Sequence, residues 1–334
     1  MIRVPYQEVF DTLFRALLKL GFKPERAQLC ARLFTDTSRD GVYSHGLERF
    51  PRFVRGIRNG LIDIHATPEL VSACGPLERW NGHCGPGNLN AHQCMERAIA
   101  LSRTHGMGCV ALANTNHWMR GGSYGWQATD AGVIGICWTN TMPNLPPWGA
   151  SDPRVGNNPV IIAVPRQSGH VVLDMAMSQF SYGALASYRA RGELLPVDGG
   201  FDAEGRLTRD PGAIEVSGRP LPIGYWKGSG LALMLDLVAG LLSGGQVTHQ
   251  IAADPEQESK LSQVFIAFDL RSLNDSGTAA ELTDQVVQHL QFPAQTGEQI
   301  RYPGQHVLEN RNENMVKGIP VEPSTWQEIQ SLLV

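Results

Sequence analysis

The sequence lacks the glycine-rich turn that usually holds a dinucleotide. No GxGxxG follows a strand and opens a helix, because Gly85-Pro86-Gly87 has the wrong context and Gly121-Gly122 lacks the third glycine. A GxxxxGK(S/T) loop is absent as well. If a dinucleotide binds, it does so without the pyrophosphate turn of a Rossmann fold, and the motifs alone assign no cofactor.

Metal-ligand spacings are also missing. None of the six cysteines forms a CxxC pair, and the ten histidines include no HExxH or HxH spacing. A metal site is therefore not expected. The cysteines are expected to be reduced and mostly buried thiols rather than a disulfide framework.

Positive charge and long hydrophobic runs are scarce. The formal net charge is -4, which argues against a nucleic-acid partner, since such proteins need a basic surface. The longest strongly apolar run, Leu231 to Leu242, is too short to span a bilayer and is interrupted by Asp236. Met1 to Phe10 contains Glu8 and no apolar core of a signal peptide. We therefore expect a cytoplasmic protein without membrane partners.

The remaining pattern predicts helices first and strands later. Apolar residues at helical spacing predict one helix over Phe10–Leu18 that stops near Gly21, a second from Pro24, and a third after Pro51. Further helices are predicted for Asn90–Thr104, Gly228–Leu242 and Thr283–Leu290. Short apolar runs predict strands at Cys109–Ala113, Val133–Trp138, Pro159–Val164, Val171–Met175 and Val264–Leu270. Few long helices separate these strands, so the pattern is not that of a doubly wound sheet.

Two residues four positions apart, His45 and Arg49, could carry acid–base chemistry. On a helix their side chains would share one face. An imidazole could donate a proton to a forming alkoxide, and a guanidinium could bind a carboxylate through two hydrogen bonds. The pair suits a 2-oxo acid, whose carboxylate adjoins its ketone. On spacing alone, a helix-start histidine and a solvated arginine are the favoured alternative.

Other polar residues stand out at strand ends. In Asn116–Gly122, Arg120 could hold an anion and Trp118 could stack on a sugar, or the segment could be an exposed loop. Asp174, inside an apolar run, could orient a histidine or cap backbone amides. Lys227 opens a predicted helix, where its charge and free amides would favour phosphate.

Together these segments resemble the second family of malate/L-lactate dehydrogenases, which is unrelated to the Rossmann-type enzymes. The resemblance runs over nearly the whole chain. It rests chiefly on Gly41-Val42-Tyr43-Ser44-His45-Gly46, Arg49-Phe50-Pro51-Arg52-Phe53, Asn116-His117-Trp118-Met119-Arg120-Gly121-Gly122, Asp174-Met175-Ala176-Met177-Ser178, Gly224-Tyr225-Trp226-Lys227-Gly228 and Arg301-Tyr302-Pro303-Gly304.

The resemblance implies an α/β (α+β) fold and a homodimer with a shared active site. A helical N-terminal part, 1–75, would be followed by a non-Rossmann nucleotide-binding domain, 76–222, with a mostly antiparallel or mixed sheet. Residues 223–334 would complete the first domain and the cofactor site. The implied activity is reduction of a small 2-oxo acid by NADH, with NADPH as the alternative.

The resemblance also implies roles for individual residues. His45 would donate the proton and Asp174 would be the catalytic carboxylate. Arg49 or Arg120 would hold the substrate carboxylate, with His117 and Trp118 at its other end. The dinucleotide would contact His170, Val171, Val172, Leu173, Asp174, Met175, Ala176, Trp226, Lys227, Gly304, Gln305 and His306.

Alternatives remain within and outside this family. Trp118 and Arg120 favour a longer, sugar-derived substrate, whereas malate, lactate, ureidoglycolate or a cyclic imine acid would use the same chemistry. A non-catalytic binder of sugar acids or nucleotides is the alternative from another class, although it would not need a proton donor.

Overall fold

The N-terminal helices and the end of the chain share one hydrophobic core. In the computed structural model, which describes residues 1–273, 276–292 and 300–333, this layer contains α1 (Tyr6–Lys19), α2 (Pro24–Arg39) and α3 (Phe50–Arg58). Strand β1 (Ile2–Val4) pairs antiparallel with β13 (Ile319–Val321), and α11 (Pro323–Ser331) follows directly. The chain termini therefore close the same layer, because their apolar faces are buried together.

A seven-stranded mixed sheet forms the centre of the molecule. In spatial order its strands are β2 (Glu69–Cys74), β3 (Leu77–Asn81), β4 (Met107–Thr115), β12 (Leu261–Phe268), β5 (Ile134–Thr139), β8 (Val160–Val164) and β9 (Val171–Met175). Only β3 and β4 run parallel, and all other neighbours are antiparallel. The expected α/β class with a mostly antiparallel, mixed sheet is thus confirmed.

Helices cover both faces of this sheet. On one face, the sheet is covered by α4 (Gly87–His105) and α5 (Gly122–Asp130). These helices bury every second side chain of the strands, and the side chains in between face the other side. On the opposite face, α8 (Trp226–Ser243) packs through Ala232, Leu235 and Ala239. The helices α9 (Ser276–Leu290) and α10 (Gln305–Lys317) follow the last strand of the sheet.

An excursion between β9 and α8 forms a small lobe, residues 179–221. It contains α6 (Tyr182–Arg191) and α7 (Pro211–Ser217) around a core of Leu185, Leu195 and Ile214. Two short pairs, β6 (Pro143–Leu145) with β7 (Val155–Gly156) and β10 (Gly200–Phe201) with β11 (Leu207–Thr208), lie outside the main sheet. Gln179 donates its N–H to the Leu221 carbonyl at 2.7 Å, and Ile223 donates to Met177 at 2.8 Å. Both ends of the lobe are therefore held beside each other.

Most predicted elements are present, but the sequence analysis missed several. The structure has helices at α5, α6, α7, α10 and α11 where none was predicted, and the sheet takes strands from all three predicted parts of the chain. The three-part division therefore stays a prediction.

All six cysteines are unpaired, and four of them are buried. Among the described residues, no helix is long and apolar enough to cross a membrane.

Candidate active site

His45 and Arg49 do not lie on one helix, so the shared helical face that their spacing would give is not formed. Tyr43–His45 and Leu47–Arg49 are separate 3-10 turns divided by Gly46, whose φ of -99° and ψ of -122° are not helical. The glycine is required, because a Cβ there would lie 2.0 Å from the Ser38 hydroxyl, which accepts the Leu47 N–H. The tight packing of this bend, rather than helical periodicity, fixes the position of His45.

The His45 imidazole is recessed between polar and cationic neighbours. The Ser44 hydroxyl lies 3.0 Å from Nδ1, and the His117 ring stacks at a centroid distance of 5.8 Å. Burial, helped by the charges of Arg49 and Arg120, lowers the pKa of His45 to about 4. In the free protein at neutral pH the ring is therefore uncharged, and an anion bound beside it would favour protonation.

His117 is buried beside His45 and differs from it in chemistry. Its Nδ1 accepts the N–H of Met119 at 3.0 Å, so in the neutral ring the proton is on Nε2. Burial, followed by the charge of Arg49, holds the His117 pKa well below its usual range. His117 is therefore a neutral hydrogen-bond donor, and His45 is the better candidate for proton transfer.

Arg49 lines a cleft in front of His117. The cleft has about 440 Å³ of space, part of it open to solvent. Burial lowers the Arg49 pKa to about 10, so the guanidinium is still charged at neutral pH. The polar and charged residues that line the cleft are Arg49, Arg52, Asn116, His117, Glu256 and Glu258. The predicted carboxylate ligand Arg49 thus lines an open cleft together with a second arginine and two carboxylates.

Arg120 is occupied by a buried carboxylate, Asp40. Asp40 accepts hydrogen bonds from Arg120 Nη1 at 2.7 Å and from Arg311 Nε and Nη2 at 2.8 Å. Burial opposes ionisation of Asp40, but the bonds from Arg311 and the charges of Arg120 and Arg39 outweigh it and lower its pKa. Arg120 is therefore a structural partner of Asp40, and Arg49 is the freer of the two predicted carboxylate ligands.

Trp118 lies in the hydrophobic core, not in the cleft. Its side chain is 1% exposed and packs against Tyr124 and Phe265. The expectation that Trp118 contacts the substrate is corrected by this burial. The 116–122 segment is not an exposed loop either, because a core aromatic and the Asp40 pair hold it inside.

Asp174 lies at the edge of the sheet near Arg120. Its Oδ2 accepts the Gly122 N–H at 2.9 Å and lies 3.9 Å from Arg120 Nε. Partial burial raises its pKa, and this outweighs the charge of Arg120 and the bond from Gly122. With 31% of its side chain exposed, Asp174 both caps a backbone amide and remains accessible.

The three segments predicted to contact a dinucleotide meet along β9. At the start of the strand, Val172 donates its N–H to the Pro303 carbonyl at 2.9 Å. Gly304, at φ +95°, packs so closely that a Cβ would lie 3.1 Å from Val172 N. Beyond the end of the strand, Met177 binds Ile223, just before α8. Segments 170–176, 223–227 and 303–306 therefore form one continuous edge.

Not every group on this edge is free for a ligand. The amides of Lys227, Gly228 and Ser229 already bond carbonyls of residues 223–225, so these three amides at the start of α8 are not free, whereas the Lys227 side chain is exposed. His170 Nδ1 accepts the Arg166 N–H, and its Nε2 lies 3.1 Å from Asp130.

The 179–221 lobe reaches the turn that carries His45, Tyr43–His45. At the start of α6, a Cβ added to Gly183 would lie 2.7 Å from the Ser44 hydroxyl. Because this hydroxyl contacts His45 Nδ1, the lobe fixes one side of the imidazole.

We expect Gly183→Ala to lower kcat about ten- to hundredfold, because the added methyl displaces Ser44 and with it His45. Steady-state kinetics would measure this. The matched control is Gly212→Ala in the same lobe, where the nearest atom is 3.3 Å from the added Cβ. Equal activity of both variants would show that the lobe does not position the ring.

The chain matches a known family of dehydrogenases over most of its length. A profile of the malate/L-lactate dehydrogenase family matches residues 4–330. The chain belongs to this family. It is 45% identical to the 2,3-diketo-L-gulonate reductase of Citrobacter koseri and 44% identical to that of Shigella boydii, over 99% of this chain and 100% of each relative. The sulfolactate dehydrogenase of Methanocaldococcus jannaschii superposes with a TM-score of 0.91 at 26% identity, covering 99% of this chain and 96% of that one.

The resemblance expected from the sequence is therefore confirmed. The protein is an oxidoreductase of a nicotinamide-dependent dehydrogenase type that acts on hydroxy or oxo acids. Among the described residues, no group of three or more His, Cys, Asp or Glu could hold a metal ion.

Several site residues were missed by sequence reasoning. Asp40 and Arg311 become partners only through the fold, because 271 positions separate them. Glu258 lies in a loop with no motif. Arg52 could have been found, since it follows Arg49 by three positions and would share its side of a helix.

Proposed function

We propose that the protein reduces 2,3-diketo-L-gulonate to 3-dehydro-L-gulonate, with His45 as the proton donor. The observation that carries this proposal is the His45 imidazole stacked on His117, because the His117 ring in turn lines a cleft with Arg49 and Arg52. The near-complete coverage of relatives named as 2,3-diketo-L-gulonate reductases supports the substrate.

In the proposed mechanism, each group of the cleft has a separate task. The Arg49 guanidinium binds the substrate carboxylate, and the Nε2–H of His117 donates to a substrate oxygen. Reduced nicotinamide, when bound, supplies the hydride for C2. The bound anion raises the low proton affinity of His45, and the imidazolium gives its proton to the C2 oxygen as negative charge develops there. His45 is then neutral and takes up a proton from solvent. Asp174 contacts Arg120 and the N–H of Gly122. It would lie on the side of the site where we propose that the cofactor binds.

We propose NADH as the cofactor, held along β9 by residues 170–176, Trp226 with Lys227, and Gly304, Gln305 and His306. Glu309, held by Gln305 and by His306 at 3.2 Å, supplies a carboxylate beside this segment. A carboxylate can accept hydrogen bonds from the ribose hydroxyls of NADH, and it repels the 2′-phosphate of NADPH. NADPH is the alternative, and comparing KM for both cofactors decides between them.

The experiment that tests the function is a substrate panel. The purified protein is assayed with each reduced cofactor and with diketogulonate, oxaloacetate, pyruvate and a cyclic imine acid, by loss of nicotinamide absorbance. We expect the highest kcat/KM for diketogulonate. Preference for another acid would assign a malate-, lactate-, ureidoglycolate- or imine-type activity. Tight binding without turnover of any acid would favour the non-catalytic binder.

We also propose a homodimer that joins through the outer face of α8. Six large apolar residues on this helix are between 41% and 74% exposed: Trp226, Leu231, Leu233, Met234, Leu237 and Leu241. Leu231, Met234, Leu237 and Leu241 follow one another at intervals of three or four residues, and Leu233 lies four residues before Leu237, so they form one stripe. Monomers rarely expose so large an apolar patch. A second copy of the chain would bury it next to the proposed cofactor edge at Trp226.

The unpaired cysteines suit a reducing compartment, and we propose the cytoplasm.

We expect Met234→Glu to convert the dimer to a monomer, because it places a charge at the centre of the stripe. Light scattering after size exclusion would measure the mass. Val216→Glu, at an even more exposed apolar site outside α8, should leave the mass unchanged. A dimeric Met234→Glu variant would exclude this face.

A further inference from the structure

The cleft also carries a buried carboxylate that the proposed mechanism does not use. Glu258 has a side chain only 6% exposed, and its Oε1 accepts the Met142 N–H at 3.3 Å. Its Oε2 lies 3.6 Å from Arg49 Nη2 and 3.8 Å from Arg52 Nη2. One buried negative charge is therefore shared by the two guanidinium groups that line the cleft.

The guanidinium groups are not saturated by this carboxylate. Both separations exceed a hydrogen-bond distance, so Glu258 offsets the charge without occupying the N–H groups. Arg52 also donates to the Pro255 carbonyl and lies 3.7 Å from Glu256. The cleft therefore has donors available to a ligand but little net positive charge beside Glu258.

Asn116 adds nothing that a ligand could use. Its Nδ2 donates to the carbonyls of Leu61, Cys84 and Gly85, and its Oδ1 accepts the Ser259 hydroxyl. Arg52 and Glu258, which lie beside Arg49, are thus the groups that a substrate hydroxyl or a second carboxylate would meet in this part of the cleft.

We propose that Glu258 determines substrate class by rejecting a second carboxylate and accepting hydroxyl groups. A hydroxyl can donate to Oε2 of Glu258 and accept from Arg52, so both charges gain a partner. A second carboxylate cannot donate to Oε2 and meets a buried like charge. The cleft is therefore selective for a polyhydroxylated monocarboxylic acid over a dicarboxylic acid. This inference rests on the proposed function, because it assigns the substrate carboxylate to Arg49.

The test is the ratio of kcat/KM for oxaloacetate to kcat/KM for diketogulonate. Glu258→Gln keeps the size of the side chain and the acceptor for Met142 but removes the charge. We expect the ratio to rise about tenfold or more. Glu256→Gln removes the same charge from a side chain that is 45% exposed and should change the ratio much less, because solvent screens it. An unchanged ratio in a Glu258→Gln variant that melts like the wild type overturns the inference.

A second measurement needs neither turnover nor a variant. The melting temperature of the wild-type protein is recorded with L-gulonate and with L-malate at equal concentrations. We expect stabilisation by L-gulonate to be the larger, and a larger effect of L-malate overturns the inference even if Glu258→Gln does not fold. If no acid is turned over but L-gulonate still stabilises the protein more than L-malate, the proposed function is wrong and the proposed selectivity of the cleft still stands.

Discussion

Replacing His45 with alanine is expected to lower kcat for 2-oxo acid reduction by about 10²–10⁴-fold, the usual contribution of a general acid. The cleft, Arg49 and the β9 edge all remain in this variant, so substrate and cofactor still bind. Fluorescence titration with NADH should give nearly the wild-type dissociation constant. The loss should therefore be in kcat, with little change in KM.

The pH dependence separates a proton donor from a residue that only shapes the site. Burial, with Arg49 and Arg120, lowers the pKa of His45 to about 4, so protonated enzyme is scarce at neutral pH. The kcat/KM of reduction should therefore rise as the pH falls from 8 towards 5, and this dependence should be absent from His45→Ala. The exposed His65 provides a control, because His65→Ala should keep both the rate and the pH profile. Full activity of His45→Ala would refute its assignment as the proton donor.

Local sequence patterns predicted the elements of this fold better than the site. Regular apolar spacing fixed α1, α2 and α4, because each helix buries one face. The helix α5 was missed, since it opens at two glycines that usually signal a loop. The antiparallel placement of β12 between β4 and β5 is a long-range pairing that no local pattern encodes.

The predictions of site residues show the same difference between local patterns and long-range contacts. His45 and Arg49 were singled out because an imidazole and a guanidinium near a glycine have an evident chemistry, and their roles stay a prediction. Trp118 was misplaced, because an aromatic next to polar residues looks like a ligand contact although here it fills the core. Glu258 was invisible, since its importance comes only from the two guanidinium groups that the fold places beside it.

Asp40→Asn is expected to destabilise the folded protein by about 3–5 kcal/mol, the effect of breaking a buried ion pair from one side. Asp40 and Arg120 are each only 3% exposed, so an asparagine would leave the Arg120 guanidinium without its directly hydrogen-bonded counter-charge and with only the more distant Asp174, 3.9 Å from Nε. The same carboxylate bonds Arg311 of α10, and the Arg311 guanidinium lies 4.5 Å from the Trp126 ring. One substitution therefore loosens α2, the 116–122 segment and α10 together. Urea unfolding at pH 7 would measure the loss.

The pH dependence of stability gives an independent check on this ion cluster. The guanidinium groups lower the pKa of Asp40, so the folded state holds fewer protons there than the unfolded chain, whose carboxyl titrates near about pH 4. The stabilisation is complete above that value and disappears as the pH falls through the lower, folded pKa. The difference between wild type and Asp40→Asn should thus be constant from pH 8 to about pH 5 and shrink below about pH 4. Asp152→Asn, in the exposed pair with Arg154, should leave stability unchanged. If the Asp40 variant unfolds at the same urea concentration as Asp152→Asn, the buried cluster contributes nothing to stability.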